Sequence, residues 1–163
     1  NYAATPGAGN SGVQIANAGT ASVWAYDNTT TATHIIFANA NGNIGTIQTS
    51  GSSTSYNTSS DYRLKENVAP VSDGITRLQQ LKPSRFNFIA DPDTVVDGFI
   101  AHEVQTIVPE AITGEKDAVD DEGNPVYQGI DQSKLVPLLT AALQEAIGEI
   151  ESLKARVAAL ESA

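Results

Sequence analysis

Residues 135–160 read LVPLLTAALQEAIGEIESLKARVAAL. Within them Val136, Leu139, Leu143, Ala146, Ile150, Leu153, Val157 and Leu160 recur at spacings of 3, 4, 3, 4, 3, 4 and 3. That is the a/d stripe of a coiled coil, sustained over about four heptads. Glu149 with Lys154, and Arg156 with Glu161, fall at g and the following e, where they can bridge neighbouring helices. Two readings stay open. The stripe can be a seam between copies of the chain, or the face of an amphipathic helix lying on its own domain, since Ile147 widens it. Val or Ile at a with Leu at d leans towards a dimer, but Leu143 and Ala146 break that pattern, so the heptads do not settle dimer against trimer. Pro137 is tolerated if the helix begins just before it.

Upstream of this helix the chain reads as a mixed α/β module. Ser72 or Asp73 can cap a short helix carrying Ile75, Leu78 and Leu81, ended by Pro83. Residues 84–89 read as a strand with Phe86 and Phe88 on one face, and Asp91-Pro92-Asp93 as a turn. Residues 95–101 suit a strand, and residues 102–108 a short helix stopped by Pro109. Residues 115–128 are acidic and turn-rich, with Asp121-Glu122-Gly123-Asn124-Pro125 as a hairpin tip in solvent or against a partner.

The first 59 residues are different in kind. The chain of 163 residues carries a net charge of −10, yet residues 1–59 hold one acid, Asp27, and no Lys, Arg or Glu. All 9 bases and the remaining acids lie beyond Ser59. Short β patterns run through this leader: Val13 and Ile15, then Val23 and Ala25 with Trp24 and Tyr26 opposite, then His34-Ile35-Ile36-Phe37. Asn41-Gly42 reads as a hairpin turn before Ile44 and Ile47. Large apolar residues are too few for 59 residues to bury a core alone. An intertwined β fibre, in which identical chains share one interior, answers that shortage. Residues 49–60 read either as a flexible linker or as the junction of two architectures.

Several classes of function are excluded or disfavoured. The acidic balance argues against nucleic acid. No apolar run is long enough to span a membrane. With no Cys there is no disulfide framework, thiolate metal site or Cys nucleophile. His34 has no second His, Cys or acid close in sequence and reads as structural, so no metal and no cofactor are expected. Absence of Met in a chain starting at Asn1 reads as part of a longer translation product. No Gly-rich phosphate loop and no Gly-x-Ser-x-Gly elbow is present. One local pairing of nucleophile with base remains, Ser60 with Lys65 in Ser59-Ser60-Asp61-Tyr62-Arg63-Leu64-Lys65. A lysine acts as general base only if its pKa falls from about 10.4 towards 7. Burial or a neighbouring cation such as Arg63 would be needed.

Residues 60–68, Ser-Asp-Tyr-Arg-Leu-Lys-Glu-Asn-Val, resemble the opening of the intramolecular chaperone domain of phage tail spikes and tail fibres, the S74 peptidase family. The family is known from endosialidase tailspikes, phage neck appendages and the myelin regulatory factor. The resemblance continues through Leu81-Lys82-Pro83-Ser84-Arg85-Phe86-Asn87-Phe88, through Gly98-Phe99-Ile100-Ala101-His102-Glu103-Val104-Gln105, and through Leu135-Val136-Pro137-Leu138-Leu139 into the heptads. It spans residues 60–163, with His102 standing where the family pattern has Gln.

The resemblance implies an α+β homotrimer in three parts: the end of a β-structured fibre at 1–59, an autoproteolytic α/β chaperone domain at 60–130 with its hairpin near 115–128, and a coiled-coil trimerisation helix at 131–163. It implies that Ser60 is the nucleophile and Lys65 the general base, with Asp61 and Arg63 as candidate supports. Cleavage would fall between Ser59 and Ser60, once per chain. Trimerisation would rest on Leu139, Leu143, Ala146, Ile150, Leu153, Val157 and Leu160. The partners are other copies of the chain and its own upstream fibre as folding client, with no nucleic acid, no membrane and an unnamed receptor. The setting is the host cytoplasm during assembly, with the fibre part then carried in the virion tail. Two competing readings are a non-catalytic trimeric stalk or adhesin tip, and a fragment of the myelin regulatory factor type.

Overall fold

A computed structural model describes residues 29–162 together with the backbone of residues 12–15 and 22–25. The faces of Trp24 and Tyr26, and Asp27, lie outside the described side chains. The chain forms two compact units, Asn1–Val68 and Ala69–Ala163.

The first unit is antiparallel β structure. Strands β1 (Gly12–Ile15) and β2 (Ser22–Ala25) pair with Val13 opposite Trp24. Strands β3 (Ala32–Asn39), β4 (Gly42–Ser50) and β5 (Ser53–Thr58) form a second sheet in sequence order. The first hairpin turns at Ala40 and Asn41, one residue earlier than Asn41-Gly42, and Gly42 opens β4 at φ +97. A glycine takes that backbone without a Cβ penalty. Strand β5 occupies much of the segment that also read as a linker. Its sequence, STSYNT, is exposed throughout and has no apolar alternation to announce it. Hydrogen bonding along its length holds it instead. Asn57 Nδ2 donates to Thr46 Oγ1 and Gln48 Oε1, both at 3.2 Å. One sheet face carries Ile35, Ile47 and Tyr56 in a row across the three strands. No residue from 29 to 68 is buried. Such a sheet has no interior of its own, as the shortage of large apolar residues led us to expect.

Two β-bulges interrupt the β3–β4 ladder. His34 is the extra residue on β3, and Ile44 the extra residue on β4, where Phe37 pairs with Gly45 but Ala38 pairs with Asn43. A bulge bends its strand and changes the direction of its polar groups.

The second unit is a small helical core with hairpins attached. Helix α1 (Gly74–Leu78) packs on helix α3 (Val136–Glu161), and helix α2 (Ala101–Gln105) lies beside them. Val104 and Val108 are almost wholly buried, with Leu81, Ala111, Leu135 and Leu138 completing the cluster. Strands β6 (Ser84–Phe88) and β7 (Asp91–Gly98) form a hairpin, on which Phe86 and Phe88 meet edge to face at 5.5 Å. Its turn falls at Ile89 and Ala90, so Asp91-Pro92-Asp93 is not the turn. That tripeptide lies in β7, where the register shifts between Asn87 and Phe88. Proline is accommodated there because an irregular ladder position needs no N–H. Strands β8 (Ile112–Thr113) and β9 (Gly129–Ile130) close the acidic hairpin. At its tip the Asp120 carboxylate accepts the backbone N–H groups of Glu122 and Asn124, both at 2.9 Å.

The cap of α1 comes from an unexpected place. Asp73 occupies the N-cap position but makes no side-chain cap. The Glu145 carboxylate, far along the chain on α3, accepts from Gly74 N at 2.8 Å and Ile75 N at 2.9 Å. Orphan N–H groups of a first turn need such a partner, and a carboxylate also suits the positive end of the helix. Pro137 sits within the first two residues of α3, where its missing N–H breaks no helical bond.

Candidate functional site around Ser60 and Lys65

The site begins where β5 runs out. Ser59 adds one more rung to the sheet: its N–H donates to the Ile44 carbonyl at 3.1 Å. Its hydroxyl donates to the neighbouring Asn43 carbonyl at 3.2 Å. The chain then leaves the sheet at Ser60 and enters a short 3-10 turn, Tyr62–Leu64.

Asp61 builds that turn. Its carboxylate accepts from Arg63 N at 2.8 Å, the capping bond that aspartate makes readily. The Arg63 guanidinium grips both oxygens of the same carboxylate, Nε at 2.9 Å and Nη2 at 2.8 Å. Leu64 N donates to Asp61 O, and Lys65 N to Tyr62 O. Lys65 leaves the turn in extended conformation, and its side chain reaches back across the turn. Lys65 Nζ lies 2.7 Å from Ser60 Oγ and 3.2 Å from Ser60 O. The two groups thus meet within one chain, at the range in which a proton can pass between them. Asn67 follows at φ 52, a left-handed position that asparagine tolerates better than most residues.

The Arg63 guanidinium, then the Arg63 backbone N–H and more weakly the Lys65 charge, hold the Asp61 carboxyl below the ordinary aspartate range. The same pair raises Arg63. A depressed folded-state value means that this pairing is present above the unfolded aspartate pKa and is lost as pH falls through the lower folded value. In an NMR titration of the intact chain, Asp61 should titrate below the ordinary value of about 3.9. An Arg63→Ala chain should bring it back towards that value. An unshifted Asp61 in the parent chain would refute the pairing.

Every residue from 59 to 68 is exposed, Tyr62 by 81%. Leu64 and Val68 likewise present apolar side chains to water. Ser60 and Lys65 are therefore in contact within one chain, but without the dry surroundings that general-base chemistry by a lysine would require.

Most of the heptad residues sit on an exposed face of α3. Leu138, Ala141 and Ala142 turn inward to the core and α1, while Val136, Leu139, Leu143, Ile150, Leu153, Val157 and Leu160 are 47–78% exposed. Ala146 is half-buried. All residues from 147 to 162 are exposed.

The remaining sequence candidates fall elsewhere. His34 Nε2 is 2.7 Å from Thr49 Oγ1 at the β3 bulge. His102 lines an open cleft with Gln79, Lys82 and Glu103, in which Lys82 and Glu103 form an ion pair at 3.2 Å. Among the described residues no group of His, Asp and Glu is arranged to hold a metal ion. Nor is any helix among them long and apolar enough to cross a membrane. The sheet contacts of Ser59 and the Glu145 cap were not anticipated from sequence. Both depend on partners far along the chain, although the β5 register that brings Ser59 to Ile44 could have been followed from the hairpin turn at Gly51 had β5 itself been recognised.

A short turn carrying a serine and a lysine in contact is thus followed by a small α/β module and a long helix with a largely exposed apolar stripe. Residues 60–113 match the family Peptidase_S74, chaperone of endosialidase, which supports an S74 chaperone domain in this part of the chain. The match opens at Ser60 and ends at Thr113, short of the acidic hairpin and the heptads to which the sequence resemblance extends. No curated protein matches the chain.

Proposed function

We propose that this chain is the end of a fibre joined to a self-cleaving, self-trimerising chaperone, and that it cuts itself between Ser59 and Ser60. The observation that carries the reading is the 2.7 Å contact of Lys65 Nζ with Ser60 Oγ, at the residue where the chaperone-family match begins. Neutral Lys65 takes the Ser60 hydroxyl proton as Oγ attacks the Ser59 carbonyl carbon. The new C–O bond forms, the Ser59–Ser60 C–N bond breaks, and the proton passes to the departing Ser60 nitrogen. An ester of Ser59 with Ser60 Oγ results. Water then hydrolyses it to a Ser59 carboxylate and a free Ser60 hydroxyl. The event occurs once per chain and is processing rather than turnover.

Assembly supplies what the single chain lacks. The free stripe on α3 holds three chains together and raises the effective concentration of their β segments. Interchain β pairing is slow because closure entropy precedes the contacts that repay it. Contact with neighbouring chains would also cover Tyr62, Leu64 and Val68 and dry the dyad, so cutting would wait for assembly. After release the fibre has no easy route back and is kinetically stable.

An SDS gel of freshly made protein tests the chemistry. The parent chain should appear as two fragments, residues 1–59 and 60–163. Ser60→Ala and Lys65→Ala should stay whole, slowed by at least about a hundredfold. Lys65→Arg should stay whole as well, because a guanidinium keeps its proton and cannot serve as base. Cutting of Ser60→Ala at the same bond would defeat the dyad. A parent chain that remains whole while still trimeric would favour the non-catalytic stalk.

A further inference from the structure

We infer that Ser59 is a positioning residue for its own cleavage, and that the bulged segment Asn43–Ile44 of β4 holds the scissile carbonyl in place. The inference rests on the proposed Ser60 chemistry and adds a condition to it: β5 must be paired with β4 in register up to its last rung.

The argument starts from the ladder. In a regular antiparallel strand, successive carbonyls face opposite neighbours, so one residue across the sheet meets only one of them. Ile44 is an extra residue on β4, which relaxes this alternation at that point. At that point two successive carbonyls accept from one residue: Ile44 O from Ser59 N at 3.1 Å, and Asn43 O from Ser59 Oγ at 3.2 Å. The residue on the acyl side of the bond is thus tied by backbone and side chain. On the other side of the same bond, the Asp61–Arg63 turn and Lys65 hold Ser60. The scissile peptide is the link between two separately anchored pieces.

Attack on a carbonyl needs the reacting atoms held in one orientation, and loss of a single restraint lowers the fraction of time spent there. Ser59 is exposed, so its hydroxyl contributes no core packing. A β5 strand slipped by one residue would place Thr58 or Ser60 opposite Ile44 and remove both bonds from Ser59. Cleavage would then read the register of the preceding hairpin as well as the assembly of the chains.

The test follows cutting of the intact chain after a translation pulse, by gel, in the parent and in Ser59→Ala, Ser59→Thr and Ser60→Ala variants. Ser59→Ala should cut about five- to tenfold more slowly, the effect of one lost hydrogen bond. The shape of its pH–rate profile should match that of the parent, because acid and base are untouched. Ser59→Thr keeps a hydroxyl on a residue that favours strands and should restore most of the rate. Cutting of Ser59→Ala at the parent rate, or failure of threonine to restore it, overturns the positioning role. Those results leave the dyad standing if Ser60→Ala remains whole. Cutting of Ser60→Ala removes the dyad, while a slow Ser59→Ala in the same series still supports positioning. A parent chain that never cuts overturns both.

Discussion

A chain carrying Ile150→Asp and Leu153→Asp should be monomeric and uncut. Both positions are about half exposed and neither contributes to the core cluster. In a single chain the exchange therefore costs little, and the circular dichroism of the helical unit should be preserved. In an assembled coil the same positions are a and d, and facing carboxylates from each chain would be desolvated together. An uncompensated buried charge costs about 3–5 kcal/mol. At a seam shared by several chains these costs add. Sedimentation equilibrium reads the association and an SDS gel reads the cut. A monomer that cuts efficiently would sever cleavage from assembly, and a variant that still trimerises would show that the stripe is not the seam.

The second large effect is expected at Gly74. A Cβ built there would lie 2.5 Å from Ala142 N, 2.8 Å from Ala141 C and 2.9 Å from Ala142 Cα. All three are backbone atoms of a packed helix, so no side chain can swing aside. Gly74→Ala must push α1 off α3. That movement also takes the Gly74 and Ile75 N–H groups away from the half-buried Glu145 carboxylate. Overpacking costs about 1–3 kcal/mol, and each hydrogen bond to a charged group about 1.5–3 kcal/mol. We expect a loss of at least about 3 kcal/mol in urea unfolding, a large share of a typical domain's stability. It is best measured on a Ser60→Ala background, so that the chain stays whole. A loss under about 1 kcal/mol would mean that the two helices can separate without cost.

Much of the architecture was legible because its signals are local. The 3-4 spacing of α3, the Phe86 and Phe88 alternation and the run at His34–Phe37 each reflect one element's own period. Where the reading failed, the deciding partner was distant. Strand β5 has no apolar pattern and exists through Asn57 and its bonds to β4. The turns at Ala40–Asn41 and Ile89–Ala90 were set by ladder register, which bulges shift by a residue or more. Asp73 had the right chemistry and position for a cap, but Glu145 took the role from 70 residues away.

For the candidate site the division is similar. The sequence by itself determined the charge break at Ser59 and the heptad stripe, since composition and spacing are properties of the chain, and its residues from Ser60 onward carry the family resemblance. Only the tertiary structure decided that Lys65 folds back on Ser60, because the Asp61–Arg63 pair must first close the intervening turn. It alone decided that Ser59 is moored to Asn43 and Ile44, because that depends on how β5 is registered against β4. It also decided that α3 buries Leu138, Ala141 and Ala142 while leaving most heptad positions exposed, because a helix with two apolar faces cannot reveal from its period alone which one its own domain will cover.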